Sequence, residues 1–380
     1  MLLPDNVHSH CSNCLNVSWA NIPCNNCTYA MYCSEKCRTE EWSKYHDIEC
    51  SIFAVLSQAP SDHKLNLIST RLAIQAIKEF NSLEDLRTEL KEINKCKDLR
   101  TKGFSADKKF YSNKYRSVYS LATNVEKREP ADLFRRSVDA CFILYLLATR
   151  TVVFGNIQET DLSVLAKNSD VRFVGGLILR HQQIIPTNIH SFAEEYGLNN
   201  RERGAALLSF CSLINHSCEP NITRNSRFDT QFLHVTYPIK KGEQLLDNYG
   251  QLYAMMPKKE RQQELLSQYY FECKCVPCKE DWPLYANLPS YKALMITQAT
   301  VKNPRDRSII TSAFQKFDTY VTLAIEGNVL DKPHIIQDLE KMIQLLYDHA
   351  AMPSKEMIDV IETYKRVHGL HCNRFDIPII

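Results

Sequence analysis

The stretch FECKCVPCKE, residues 271–280, sets Cys273, Cys275 and Cys278 at Cys-x-Cys-x2-Cys spacing. That spacing can gather three thiolates around one point. A structural zinc takes four protein ligands, and the stretch offers only three. A denser cluster occupies residues 11–50, with Cys11, Cys14, Cys24, Cys27, Cys33, Cys37, His46 and Cys50. Eight soft nitrogen and sulfur ligands in so short a run make two four-ligand sites. His46 and Cys50 stand four residues apart, so one helical face can present both. Few large aliphatic side chains lie between the cysteines. Metal binding is therefore expected to supply the folding energy that burial cannot.

The elements that must position these residues are bounded by length and composition. A chain of 380 residues at formal charge +2, with 24% charged and 44% hydrophobic residues, fits two or three compact units. The near-neutral balance gives no global case for nucleic-acid or membrane binding. MLLPDNVHSH lacks the basic start and apolar run of a signal peptide. The apolar run CFILYLLATRTVVFG (141–155) is broken by Arg150 and falls short of the ~20 residues that span a bilayer. A cytoplasmic and nuclear protein is expected. Disulfides are rare there, so the fifteen cysteines point first to metal.

Residues 51–185 read as mostly helical. Leu83, Leu86, Leu90 and Ile93 share one helical face, with Ser82 as its N-cap. Segment 133–151 is apolar on most sides and predicts a core helix. Segment 171–185 predicts another, despite Gly175 and Gly176. Cys96 and Cys141 are expected there as buried or half-buried thiols. The pattern then changes. Leu233, Val235, Tyr237 and Ile239 alternate as in a strand, the residues around Gly242 make a turn, and QLLDNYG follows as a second short strand. Beyond 286 the spacing is helical again, in SIITSAFQKFDTYVTLAIEG and IIQDLEKMIQLLYDHAA. The end, NRFDIPII, is apolar and suits a groove.

The cysteine pattern of residues 11–50 resembles a MYND zinc finger. NHSCEPN (215–221) and GEQLLDNYG (242–250) resemble the C-terminal half of a SET domain. With the Cys-x-Cys-x2-Cys tail, the order is similar to the SET and MYND domain-containing (SMYD) protein-lysine methyltransferases, nearest their fourth subgroup. The resemblance implies an α+β fold: a split SET β-fold with a MYND finger, a post-SET zinc site, and largely helical insert and C-terminal regions. It divides the chain into a remnant of the N-terminal SET segment (1–10), the finger (11–50), a helical linker and SET insert (51–185), the core SET (186–255), the post-SET zinc region (256–285) and a C-terminal helical region (286–380). That family carries strands and a glycine-containing loop before the finger, so the chain reads as truncated there.

The resemblance also assigns residues. Cys11, Cys14, Cys33 and Cys37 would hold one zinc, and Cys24, Cys27, His46 and Cys50 a second. Cys218 would complete the third with Cys273, Cys275 and Cys278, clipping the tail as a wall over the site; Cys211 is the competing ligand. S-adenosyl-L-methionine would be held by Asn215 and His216, by Ser212 and Ile214 through backbone, by Asn188, and by Phe271 stacked on adenine. Tyr249 would stand at the methyl-transfer point and Tyr269 would line the lysine channel. Lysine methylation needs a neutral amine, and the free side chain has pKa ~10.4, so a dry aromatic channel helps by desolvation. The partners expected are histone or non-histone protein substrates with a target lysine and proline-containing peptides at the finger; the chain is expected to be a monomer. The alternative function is a zinc-bearing interaction adaptor without catalysis.

Overall fold

A computed structural model describes residues 1–59, 62–155, 160–196, 199–288, 307–372 and 374. They form two compact units, Met1–Ser191 with Glu202–Leu213, and Phe192–Arg201 with Ile214–Ile380. The architecture is α+β, with helices dominant and eight short strands among the described residues.

In the first unit the finger has little regular structure: β1 (Ile22–Pro23) pairs antiparallel with β2 (Met31–Tyr32). Ser34 accepts from the Cys37 N–H and so starts the helix Glu35–Glu41, which widens over Trp42–His46. Satisfying that orphan donor is what an N-cap does. The helix His63–Glu79 packs on Ser169–Asn188, and both pack on Pro130–Arg150. Their shared core includes Leu67, Ile143, Leu147, Val174 and Ile178. The predicted helix around Leu86 runs Leu83–Lys95, with Ser82 accepting from the Asp85 N–H. Its stripe buries Leu86, Leu90 and Ile93 against Tyr115 and Tyr119, each burial stabilising by roughly 1.5–3 kcal/mol.

The helix over 133–151 differs from expectation. It spans Pro130–Arg150, but Phe134 and Val138 are exposed, as is Cys141. Positions 134, 138 and 141 form one stripe, so the helix is buried on its opposite face only. Cys141 is thus not a buried thiol, while Cys96 is half-buried just past Lys95. Met1–Leu3 lie antiparallel to Arg203–Ala205: the Leu3 N–H donates to Arg203 O (2.9 Å) and the Ala205 N–H to Met1 O (2.8 Å). Gly204 permits this approach, because a Cβ there would sit 2.8 Å from Met1 O.

The chain passes between units through β3 (Ile189–Tyr196) and β4 (Asn199–Leu207), which pair. In the second unit β5 (Asn215–His216) runs parallel to β8 (Leu246–Asp247). The hairpin of β6 (Ile222–Arg227) and β7 (Thr230–Val235) turns at Phe228, which takes the left-handed conformation. The predicted strand through Tyr237 and Ile239 therefore stops at Val235. Its partner is the segment before it, and QLLDNYG pairs elsewhere, through β8. A helical core completes this unit, from Phe317–Glu326, His334–His349 and Lys355–Cys372. The first two match the predicted helices; the third was not foreseen. Residues 375–380, the apolar end, lie outside the described residues. No described helix is long and apolar enough to cross a membrane.

Candidate metal centres and active site

Three groups of four side chains converge, and their donor atoms lie within 4.8 Å of one another in each group. They are Cys11, Cys14, Cys33 and Cys37; Cys24, Cys27, His46 and Cys50; and Cys218, Cys273, Cys275 and Cys278. Tetrahedral zinc with Zn–S bonds of about 2.3 Å requires sulfurs about 3.8 Å apart. The separations fit: Cys14 to Cys33 is 3.8 Å, Cys24 to Cys50 3.9 Å, and Cys218 to Cys278 3.6 Å. The third group includes Cys218 and not Cys211, which opens a short 3-10 turn, Cys211–Leu213.

The second and third centres are braced by residues that the spacing did not reveal. His46 turns Nε2 toward Cys27 Sγ (3.4 Å) and Nδ1 toward Glu49 Oε1 (3.0 Å). Glu49 is fully buried and also accepts two bonds from Arg71, at 2.8 and 2.6 Å. This carboxylate–histidine arrangement fixes the ring and its tautomer, and Arg71 ties it to the helix His63–Glu79. The only signal was the three-residue interval from His46 to Glu49. At the third centre the buried Arg261 reaches Cys278 Sγ (3.7 Å), placing a cation beside the thiolates. Gln262 brackets Cys273 through its N–H and its carbonyl (2.9 and 2.8 Å).

NHSCEPN is locked onto the β8 segment by bonds of its own. Asn221 accepts from the Leu246 N–H (2.7 Å) and donates to Gln244 O (2.9 Å). Asn248 donates to Ser217 O (3.0 Å). Asn215 is exposed, its amide on the Gln244 side chain (3.1 Å). His216 is buried, and burial pushes its pKa down to about 4. The Tyr249 N–H donates to its Nδ1 (3.1 Å), so the ring proton sits on Nε2, 3.4 Å from Cys218 Sγ. One neutral imidazole thus joins the tail metal centre to the Tyr249 backbone.

An aromatic cluster grows from this point. The Tyr249 ring lies 5.1 Å from His216, 4.8 Å from Tyr269 and 6.4 Å from Phe271, the last edge-on. The Tyr249 hydroxyl donates to Ile214 O (2.7 Å). Burial raises its pKa to about 12, so the phenol stays neutral. Beside Tyr249 opens a cleft of about 610 Å³, with Tyr237, Asp247 and Leu252 on one side and Ile358, Ile361 and Lys365 on the other. The last three come from the helix Lys355–Cys372, invisible to motif reasoning because its part here is only to line a wall.

Asn188 and Ser212 belong to the first unit. Asn188 ends the helix Ser169–Asn188 and donates to Ile184 O (2.9 Å), and its own carbonyl accepts from the Ser212 hydroxyl (3.4 Å). Both line a cleft of about 510 Å³ with Phe104, Asn124, Lys102 and Arg180. The structure thus gathers Ile214, Asn215, His216, Tyr249, Tyr269 and Phe271 in the second unit, and Asn188 with Ser212 in the first.

Residues 26–250, more than half of the chain, match the SET domain family. The chain belongs to that family. Its metal-binding finger, its SET motifs and its relatives place it in the SET-and-MYND (SMYD) branch. It is 26% identical over 319 residues to the mouse protein-lysine N-methyltransferase SMYD4, covering 75% of this chain and 40% of that protein. A SET and MYND domain-containing protein of Dictyostelium discoideum is 25% identical over 281 residues, covering 71% of each. The mouse histone-lysine N-methyltransferase SMYD3 is 26% identical over 269 residues, covering 71% of this chain and 51% of that protein. The aligned part is thus about 40% of the length of the SMYD4 relatives.

Proposed function

We propose that this protein is a protein-lysine N-methyltransferase that uses S-adenosyl-L-methionine and holds three structural zinc ions. The carrying observation is the cluster of Tyr249, Tyr269, Phe271 and His216 beside a largely apolar cleft. It supports the reading because a water-poor aromatic wall favours the neutral form of an arriving lysine amine. The cofactor, when bound, supplies an electrophilic methyl group on sulfur.

The residues of the second unit that would hold it are Ile214, Asn215, His216 and Phe271. The donor set is suited to such a ligand: amide and carbonyl groups for its polar edges, an aromatic face for its base, and no carboxylate among these four. Tyr249 does the positioning. Its hydroxyl gives its proton to Ile214 O and keeps its lone pairs for an amine N–H. His216 holds the Tyr249 backbone, so the phenol is oriented at both ends. The lysine leaves its proton to solvent on entering the channel, and alignment of two bound reactants then supplies most of the acceleration.

Tyr249→Phe tests this reading. It removes one hydroxyl, leaves the ring packing, and touches no zinc ligand. Calorimetry should show S-adenosylmethionine bound as before, while transfer of labelled methyl to lysine-bearing protein falls about 100-fold. If the unsubstituted chain takes up no cofactor, the methyltransferase reading fails and a zinc-bearing adaptor remains. If turnover per folded molecule is unchanged in the variant, Tyr249 is a packing residue.

A further inference from the structure

Four thiolates on one zinc ion leave an excess of negative charge, and burial makes that excess costly. At the tail centre Cys218, Cys273 and Cys278 are buried and Cys275 is half-buried. Arg261 is there to meet the charge. Its side chain is wholly buried on the helix Lys258–Tyr269. Nη1 donates to Met256 O, which fixes the guanidinium, and Nη2 donates to Cys278 Sγ (3.7 Å). Nε has no hydrogen-bond partner among the described residues. No described carboxylate pairs with this arginine, so the thiolates are its counter-charge. His216 adds a second, neutral donor, with Nε2 3.4 Å from Cys218 Sγ. An unpaired buried guanidinium would be strongly destabilising. Its place in the core is explained by the sulfurs it faces.

The centre of Cys11, Cys14, Cys33 and Cys37 has the same four-thiolate charge and the opposite surroundings. Cys33 is exposed, and Cys14 and Cys37 are half-buried. Among the described residues no arginine or lysine donates to its sulfurs; Cys33 Sγ has Cys14 Sγ at 3.8 Å, Cys37 Sγ at 3.6 Å and the Ser34 hydroxyl at 3.9 Å. The remaining centre replaces one thiolate by the His46 imidazole and so carries less charge. Near a free cysteine, a cation raises reactivity by producing the thiolate. A zinc ligand has already lost its proton. A cation beside it then only withdraws electron density and weakens the nucleophile.

We propose that Arg261 is the charge-compensating residue of the tail centre and shields it from oxidants, so that a peroxide takes zinc first from the centre of Cys11, Cys14, Cys33 and Cys37. The assignment rests on zinc in all three groups and is independent of methyl transfer. The step at the finger begins at the exposed Cys33. Its thiolate attacks one peroxide oxygen, the O–O bond breaks, and a sulfenic acid and hydroxide form. The thiolate of Cys14 or Cys37 then attacks the sulfenic sulfur, forms the S–S bond and expels a second hydroxide. Two protons from solvent turn both hydroxides into water. Two thiolates have lost two electrons, hydrogen peroxide has gained them, and zinc leaves a site that has lost half its ligands.

The test treats the zinc-loaded full chain with graded hydrogen peroxide. A coloured chelator counts the zinc released, and alkylation with peptide mass spectrometry locates the thiols lost. In the unsubstituted chain the first zinc should leave together with Cys33 and Cys14 or Cys37, while Cys218, Cys273, Cys275 and Cys278 stay intact. Arg261→Met keeps most of the length and removes the charge; zinc loss from the tail centre should quicken roughly tenfold. Arg261→Lys restores a cation and should restore most of the resistance, which a purely packing role would not predict. Loss of the tail zinc first, or in step with the finger's, in the unsubstituted chain would overturn the proposal. So would an unchanged rate in Arg261→Met, or Arg261→Lys as fast as Arg261→Met. If Arg261→Met fails to hold three ions before oxidant is added, Arg261→Lys decides: three ions and slow loss support the charge role, and a missing tail ion refutes it. Fewer than three ions in the unsubstituted chain would sink the metal assignment first, and the proposal with it.

Discussion

Glu49 shows how much of a metal site lies outside its ligands. Its carboxylate sits at zero exposure, between a ligating imidazole and a guanidinium, and every polar atom facing it is a donor. Glu49→Gln keeps the shape and removes the charge. The zinc held by Cys24, Cys27, His46 and Cys50 should then be released to a chelator at 10–100-fold lower concentration. The site of Cys11, Cys14, Cys33 and Cys37 should be unaffected, since it has no ligand in contact with Glu49. Chelator competition followed ion by ion checks this. Equal release from both finger sites would mean that Glu49 serves only to neutralise Arg71, whose loss would strand a buried charge at roughly 3–5 kcal/mol.

The helix Ser169–Asn188 is the element on which most of the first unit converges. Gly175 lets it lie close to Pro130–Arg150, since a Cβ there would press on Leu144. Two turns before its end it buries His181 completely, with Nε2 2.7 Å from the Tyr115 hydroxyl. Burial, reinforced by the neighbouring Arg180, pushes the His181 pKa down to about 3. The unfolded chain would bind the proton near pH 6.5, the folded chain only near 3. Between those values the unfolded state holds the extra proton, so stability falls as pH drops through that window, by ~1.4 kcal/mol per pH unit. His181→Gln should flatten this slope in thermal melts between pH 6.5 and 5. Zinc loss on acidification contributes to both proteins alike, so the difference between them isolates the histidine. Identical slopes would show that another group carries the dependence.

For the whole molecule the metal count is the most direct measurement. Three ions per chain are expected, two in the first unit and one in the second. Cys218→Ser should leave two, because it removes the ligand that joins NHSCEPN to the tail 55 residues later. His216 would lose the sulfur partner of its Nε2 in the same variant, so the aromatic cluster should loosen while the finger stays folded. Elemental analysis, with near-ultraviolet circular dichroism as the companion signal, decides this. Three retained ions would turn attention to Cys211 as the fourth ligand.

Ligand identity in the finger was legible from sequence alone, because pairs such as Cys11 and Cys14, or His46 and Cys50, are neighbours along the chain and their spacing sets their geometry. The same locality made the helix at Leu83 readable: its cap and its buried stripe lie within thirteen residues. Resemblance carried the reading further, to Cys218 and Tyr249. Tertiary structure alone decided the rest. Spacing cannot show that Arg71 would reach back to Glu49, or that β7 would pair with β6 and β8 with β5. Nor can it show that His216 would turn one nitrogen to a thiolate and the other to the Tyr249 backbone. Arg71 and Glu49, β5 and β8, and His216 and Tyr249 lie far apart in sequence and are brought together only by the packed fold, whereas β6 and β7 are joined by a tight turn at Phe228. Periodicity records which face of an element is apolar and says nothing of which distant segment will cover it. For the same reason Cys141, in an apolar run, stands exposed, while Lys102 and Arg180, unremarkable in sequence, share one cleft.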